Sequence, residues 1–500
     1  MPSELLLTKE PITTRNKVKV YPATPCFLKK LKIFQKETID YWENERNNYL
    51  NIKLPEEEVK YLRDYQKEGV SKILGLKGIC GVFDEQRLGK TPMVLTALKF
   101  LRPKKTLIIV PKSLMISWEQ ECRKWCTKKV VAIRGTRDKR EKLYQSENRV
   151  FITTYKTAFL DKDIIPKIDC MIIDEAHRLR NFKGMLSKLG PKSIKAIIRK
   201  SYECKYKIAL TGTAAPNVPE NIFPILHFLY PSLFPSYYKF REYYFNVEEK
   251  YINRDETILV TKGFKNGMEQ ELIEFLNYTT LQRKRKDYMK WIPPVSRKTI
   301  KLKLTQKESK WYNEIAKTFE CEELGVTYQN LLTQMIGLRK IVAESEAKLE
   351  FILDYISDYP DESIIIASEH TSLLTSLKKH IPKAELIIGS TSDIKRKDLE
   401  DRFNKNEFKV LLGNIQCIKE GMKLENCSTI IIIDPSLTYT DNEQLEDRLL
   451  PTTEEKALLK DKQQIVYLII EDSIDIYIRS QLNNKAKLVD IINNFKKYLK

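Results

Sequence analysis

The stretch Gly78–Phe100, "GICGVFDEQRLGKTPMVLTALKF", decides how this chain is read. It opens with a short apolar run and turns through "DEQRLGKT"; Val94, Leu98 and, just beyond it, Leu101 follow at helical spacing. Strand, tight turn and helix form the setting of a phosphate-binding loop, in which backbone N–H groups and a helix N-terminus face an anion. The closing Gly89-Lys90-Thr91 is how such a loop finishes. In that reading Lys90 reaches the β and γ phosphates of a nucleotide, and the Thr91 hydroxyl ligates Mg2+. Pro92 suits the first helical turn, where its missing N–H costs nothing. Two residues depart from the pattern. Counting back along G-x-x-x-x-G-K-S/T puts Asp84 where a glycine is expected, and Arg87 stands in a loop that prefers small residues. A helix-capping turn with an exposed lysine also accounts for GKT, so a second signal is needed.

That signal is "CMIIDEAH", Cys170–His177. A strongly apolar run ends in two carboxylates. Asp174, at the strand end, is placed to face Mg2+, and Glu175 to polarise an attacking water. Hydrolysis of a phosphoanhydride needs this pairing of one carboxylate for the metal with another as base, beside a phosphate cradle.

The rest of the chain sets these motifs in a frame. Short apolar runs alternate with amphipathic segments in two regions. The first holds runs at 78–83, 106–110, 129–133, 149–154, 170–174 and 207–213; the second holds 363–368, 384–389, 409–414, 429–434 and 465–470. Such alternation implies parallel sheets covered on both faces. The expected fold class is α/β, with two parallel-sheet lobes and helical insertions between them. Residues 216–300, rich in Tyr, Phe, Lys and Pro, read as mostly helical without a strand rhythm. The expected division is an extension at 1–55, a first lobe at 56–215, an insertion and connection at 216–300, and a second lobe at 301–500 with helices at its start.

The 500 residues allow roughly two to four domains. A surplus of 87 Lys+Arg over 67 Asp+Glu, net +20, points to a polyanionic partner, with nucleic acid first. The nine scattered cysteines include no C-x-x-C pair, which argues against zinc and for reduced thiols in a cytosol-like compartment. The first residues carry charges soon after a very short apolar run, unlike a secretory signal. The aliphatic clusters are too short to span a bilayer, so no membrane association is expected.

In order and residues, the motifs resemble those of a superfamily-two helicase motor, and more narrowly the Swi/Snf-related DNA translocases. "LRDYQKEGV" (62–70) resembles that family's adenine-recognition segment, which implies Gln66 as the reader of the base. "DEQRLGKT" matches its DE-x-x-LGKT loop, so Asp84, Glu85, Leu88, Gly89, Lys90 and Thr91 are the implied ATP contacts, and the acidic pair is typical there. "VPKSLMISWEQECRKW" resembles its next motif, a strand end and helix that approach the nucleic-acid backbone. "IIDEAHRLRNFKG" matches closely. "LTGTAAPN" (210–217) resembles the segment that couples hydrolysis to lobe movement through Thr211 and Thr213, with His177 of the DEAH box in the same coupling set. "LQRKRKDYMKWIPP" (281–294) resembles the connection between lobes, and "NEQLEDR" (442–448) its last motif, with Gln444, Asp447 and Arg448 kept. The resemblance implies two RecA-like lobes with ATP and Mg2+ between them. It implies Arg448 as a finger on the γ-phosphate, and duplex DNA as the track. The insertions are similar to those of viral and distant members; the expected location is cytoplasmic, the host's cytoplasm if the chain is viral.

Departures from the family pattern define what to look for. Arg87 replaces a glycine, which the cradle tolerates if φ is negative and the side chain lies on the loop's outer surface. Pro451 stands at the place of the second arginine, with Lys456 a nearby cation. In "GNIQCIKEGMKLENC" (413–427) an alanine–glycine pair becomes Cys417 and Ile418, while Gly421 is kept and permits close approach to DNA phosphate. The block "QRKRK" (282–286) is either a phosphate contact or a solvated charge run at the lobe connection. The aromatics Tyr237, Tyr238, Phe240, Tyr243, Tyr244 and Phe245 are either stacking platforms or, preferably, insertion core. Two other readings stand beside the translocase: an ATP-binding DNA clamp with little turnover, and the motor subunit of a restriction complex. An RNA-directed motor is a further variant.

Overall fold

The computed structural model describes residues 52–500, except 127–128, 183–191, 213–218, 254–255, 420, 452, 459, 461–462, 485–490, 492–494 and 496–500. Two compact units divide between Tyr288 and Met289.

The first unit is built on β1 (Ile79–Val82), β2 (Thr106–Val110), β3 (Val130–Ala132), β4 (Val150–Thr154), β5 (Cys170–Ile173) and β6 (Tyr206–Leu210). After a hairpin of β7 (Phe245–Asn253) and β8 (Glu256–Phe264) comes the short β9 (Thr280–Leu281). The sheet runs β3-β4-β2-β5-β6-β1-β9, with every neighbouring pair parallel. Successive side chains of a strand point to opposite faces, and the core divides accordingly. Leu107, Ile109, Phe151, Met171 and Ile173 pack on one face. Ile108, Val110, Ile152, Ile172 and Ile208 pack on the other. Both faces need cover, which explains why these strands read as unbroken apolar runs.

The second unit has β10 (Ser296–Leu302), a small hairpin of β11 (Glu320–Cys321) and β12 (Val326–Thr327), then β13 (Ile364–Ser368), β14 (Glu385–Ile387), β15 (Val410–Asn414), β16 (Thr429–Asp434) and β17 (Gln464–Ile470). Its sheet, β10-β17-β16-β13-β15-β14, is again parallel throughout. Ile365, Leu411, Ile430 and Ile432 fill one side, and Ile364, Ile366, Leu412, Ile431 and Ile433 the other. These are the two parallel-sheet lobes that the alternating pattern implies.

Besides the two-residue strands β9, β11 and β12, two longer strand regions escape the sequence reading. The stretch expected to be mostly helical contains the β7–β8 hairpin, two nine-residue strands between helices Tyr237–Tyr244 and Met268–Thr279. Its strands mix charged and apolar residues because the ribbon belongs to no larger sheet, so no buried face imposes a clean period. β10, "SRKTIKL", is largely exposed and charged because it is an edge strand with one neighbour, β17. The aromatic run is core: Tyr237, Phe240, Tyr244 and Phe245 are buried, and Phe240 packs 5.3 Å from Phe223 and 4.9 Å from Tyr244 between ring centroids. Tyr238 is the exposed member. Every cysteine among the described residues is a free thiol. No helix among the described residues is long and apolar enough to cross a membrane.

Candidate active site

In a parallel sheet all the C-terminal strand ends share one edge, where ligands bind in such folds. β5, β6 and β1 are neighbours, so "DEAH", Thr211-Gly212 and "DEQRLGKT", which follow them, emerge together.

Helix Lys90–Leu101 starts directly behind Gly89, which holds φ at +74°. The backbone conformation favours glycine, and a Cβ there would lie 2.2 Å from Gln66 Nε2 and displace that side chain. Gln66 staples its own helix to the loop. Its Oε1 accepts from the Arg63 backbone N–H at 2.9 Å, and its Nε2 donates to the Leu88 carbonyl at 3.1 Å. The Tyr65 hydroxyl donates to the same carbonyl at 3.3 Å. Lys90 folds back over the loop, its Nζ donating to the Asp84 and Glu85 carbonyls at 3.0 and 3.3 Å.

Asp84, the residue in the place of the early glycine, is fully buried. Its partner is Arg283, 199 positions later, whose backbone N–H donates to Oδ1 at 3.0 Å and whose Nε lies 3.1 Å from each carboxylate oxygen. Arg283 also donates to the Tyr65 carbonyl, and its guanidinium stands over the Tyr65 ring. The Arg285 N–H donates to Glu85 Oε2 at 2.7 Å. At Arg283, "QRKRK" is therefore a buried ion pair and not a solvated charge run. A buried carboxylate requires a matched cation, and the block supplies it, tying the lobe connection to the phosphate loop.

Arg87 overturns a second expectation. Its φ is +73°, in the left-handed region, and the side chain is half-buried with its Nε out of solvent. A turn that needs positive φ is why a glycine serves best there; here an arginine takes the same backbone shape.

The carboxylate pair is held on several sides. Asp174 Oδ2 accepts the indole N–H of Trp118 at 2.7 Å, and Oδ1 accepts the Glu175 N–H at 2.8 Å. Glu175 itself has φ +49°. The Tyr155 hydroxyl secures that turn by donating to the Asp174 and Glu175 carbonyls at 2.6 and 3.2 Å. Burial, followed by the Glu175 charge, pushes the Asp174 carboxyl up to about 6. Burial also acts upward on Glu175, but the hydrogen bond and charge of His177, with Lys90 and Arg178 behind them, hold it below the ordinary glutamate value. His177 Nδ1 lies 3.1 Å from Glu175 Oε2 and 3.2 Å from Thr211 Oγ1, which joins the DEAH box to the segment after β6. Thr213 lies outside the described residues.

Trp118 was not among the candidate residues, and Arg283 entered only within the "QRKRK" block. A signal did exist for Trp118, since a buried indole N–H needs an acceptor. For Arg283 the signal was Asp84, a carboxylate at the end of an apolar strand, whose burial would require a cation.

In the second unit, Gly421 holds φ +81°. Arg448 is buried and donates from Nη1 to the Met422 carbonyl at 2.7 Å and from Nε to the Gln444 carbonyl at 3.1 Å. Gln444 is buried as well. Lys456 pairs with Glu425. Ile418 fills the space above Gly413, where a Cβ would come within 2.8 Å of its side chain. The bulky residue in place of a small one is thus matched by a glycine in β15.

Residues 56–347 match the SNF2-related domain, and residues 347–450 match the helicase conserved C-terminal domain. The chain belongs to the SNF2-related family. It is 26% identical over 487 residues to the SWI/SNF chromatin-remodeling complex subunit snf22 of Schizosaccharomyces pombe, covering 85% of this chain and 28% of that one. It is 25% identical over 479 residues to the human DNA annealing helicase and endonuclease ZRANB3, covering 91% and 42%. This SNF2-related chain thus spans less than half the length of either relative. Among solved structures, the Sulfolobus solfataricus SWI2/SNF2 ATPase core in complex with dsDNA aligns over 87% of this chain and 92% of its own, at 20% identity and a TM-score of 0.40.

The donor set of this SNF2-related site fits a magnesium nucleotide. A helix N-terminus and Lys90 suit phosphate oxygens, and the Thr91 hydroxyl with the Asp174 carboxylate are hard oxygen donors of the kind Mg2+ takes alongside water and phosphate.

Proposed function

We propose that this chain is an ATP-driven motor that moves along duplex DNA. The observation that carries the reading is the gathering of Lys90, Asp174, Glu175, His177 and Thr211 at one sheet edge in a chain of this family. Lys90 leaves the Asp84 and Glu85 carbonyls to take the β and γ phosphates. Thr91 and Asp174 hold Mg2+, which when bound neutralises charge on the phosphate oxygens. Glu175, kept ionised beside His177, orients the attacking water and takes its proton. Gln66, held against the loop with Asp84, Glu85, Leu88 and Gly89, sits where the base is read. His177 and Thr211 pass the state of the phosphates to the segment that includes Thr213. Arg448, Gln444 and Gly421 are the second unit's contributors, Arg448 as the cation for the γ-phosphate.

The net charge of +20 supports a polyanionic track gripped mainly through phosphates, without base reading. The human relative is named for DNA annealing, and fork or recombination intermediates are the substrates we propose.

Steady-state ATP hydrolysis with and without duplex DNA, for the native chain and Lys90→Ala, tests the reading. DNA-stimulated turnover that Lys90→Ala abolishes is the expected result. Intact DNA binding without turnover in the native chain would refute the motor. Stimulation by RNA or single strands above duplex DNA would refute the track.

A further inference from the structure

We propose that Trp118 is a positioning residue that aims the Asp174 carboxylate at its cation. The inference rests on the reading of Asp174 as a magnesium ligand. Trp118 lies on helix Met115–Trp125, which follows β2, and is 2% exposed. Met115, Trp118 and Cys122 form the buried face of that helix, so the indole is locked by packing. Its Nε1–H points at Asp174 Oδ2, 2.7 Å away and 56 positions along the chain. The other oxygen is taken by the Glu175 N–H at 2.8 Å. With a donor on each oxygen the carboxylate plane cannot rotate freely, while each oxygen keeps a lone pair for a metal.

The chemistry of the donor matters. An arginine or lysine here would orient Asp174 equally well, but its positive charge would compete with a divalent cation for the same carboxylate. Indole N–H is a donor only and carries no charge. It fixes direction and leaves the full negative charge for the ion. Partners that orient a ligand in this way typically change metal affinity or activity about 10- to 100-fold when removed.

The test uses the full chain labelled with 15N at its indole nitrogens, five tryptophans in all. In metal-free protein, Trp118→Phe identifies the Trp118 indole resonance by deleting it. Asp174→Ala, which leaves the tryptophan in place, is expected to move that resonance and no other indole. The second measurement compares ATP affinity in Mg2+ with affinity in EDTA. Trp118→Phe is expected to lose about 10- to 100-fold of the magnesium-dependent gain while keeping its affinity for metal-free ATP. Trp118→His, which retains a ring N–H, is expected to recover part of the loss. An indole resonance that ignores Asp174→Ala overturns the proposal. So does a Trp118→Phe variant whose two affinities fall together, since that marks a packing role alone. A native chain with no magnesium-dependent gain would instead refute the reading of the site, and this inference with it.

Discussion

The Asp84–Arg283 pair offers the sharpest perturbation. Arg283→Met keeps an unbranched apolar side chain of similar length and removes the charge. Asp84 would remain, with side-chain exposures in the native pair of 0% for Asp84 and 8% for Arg283. The substitution strips the carboxylate of its guanidinium bonds and leaves the Tyr65 carbonyl without its donor. Breaking a buried pair by removing one partner costs about 3–5 kcal/mol, because an uncompensated charge stays inside. For a unit of this size each kcal/mol lowers the melting temperature by about 2–4 °C, so the expected drop is about 6–20 °C. Thermal unfolding followed by circular dichroism measures it. Asp84→Asn combined with Arg283→Met should recover much of the loss, since the amide keeps the backbone N–H bond without burying a charge. ATP affinity should fall with Arg283→Met as the loop loses its anchor. A variant within about 1 kcal/mol of native, the size of an exposed pair, with unchanged ATP affinity, would refute the claim that this pair holds the loop.

Three further outcomes are expected. Because burial raises the Asp174 carboxyl to about 6, magnesium must displace a proton below that pH; Mg·ATP affinity should be flat above about pH 6 and fall as pH drops through it. Trp118→Phe, which removes a bond that lowers this value, should move the break upward in the same titration, whereas the nucleotide's own protonation is common to both proteins. Arg87→Gly should relieve about 1–2 kcal/mol of left-handed strain against about 0.5–1 kcal/mol of glycine entropy. Urea unfolding should therefore find Arg87→Gly about 0–1.5 kcal/mol more stable than Arg87→Ala, which lacks the same side chain but keeps the strain. Gly413→Ala drives a methyl into Ile418 and should cost about 1–3 kcal/mol; with Ile418→Val in the same chain, the total loss should be smaller than the two losses added.

Local order in the sequence determined a good deal of this protein. The apolar runs "TLIIV", "CMIID" and "TIIIID", short, rich in isoleucine and alternating with helical segments, read as strands buried on both faces, so two parallel sheets were legible from their spacing. Gly89-Lys90-Thr91 and Asp174-Glu175 were legible for a related reason: a phosphate loop and a metal-bearing strand end are made by neighbouring residues, and their chemistry shows wherever the segment goes. The β7–β8 ribbon and β10 were not legible, because a strand without a buried face, or with one neighbour, carries no strict period. Tertiary structure alone decided the partners. Asp84 meets Arg283 across 199 positions, Asp174 meets Trp118 across 56, and His177 meets Thr211 across 34. A buried charge or N–H must find a partner, but which residue arrives is set by the order in which strands line up in the sheet. The left-handed backbone of Arg87 and Glu175 belongs to the same class. Each is imposed on a residue that does not prefer it by the loop's need to turn between a strand end and the helical segment after it, and by the packed neighbours that hold both ends in place.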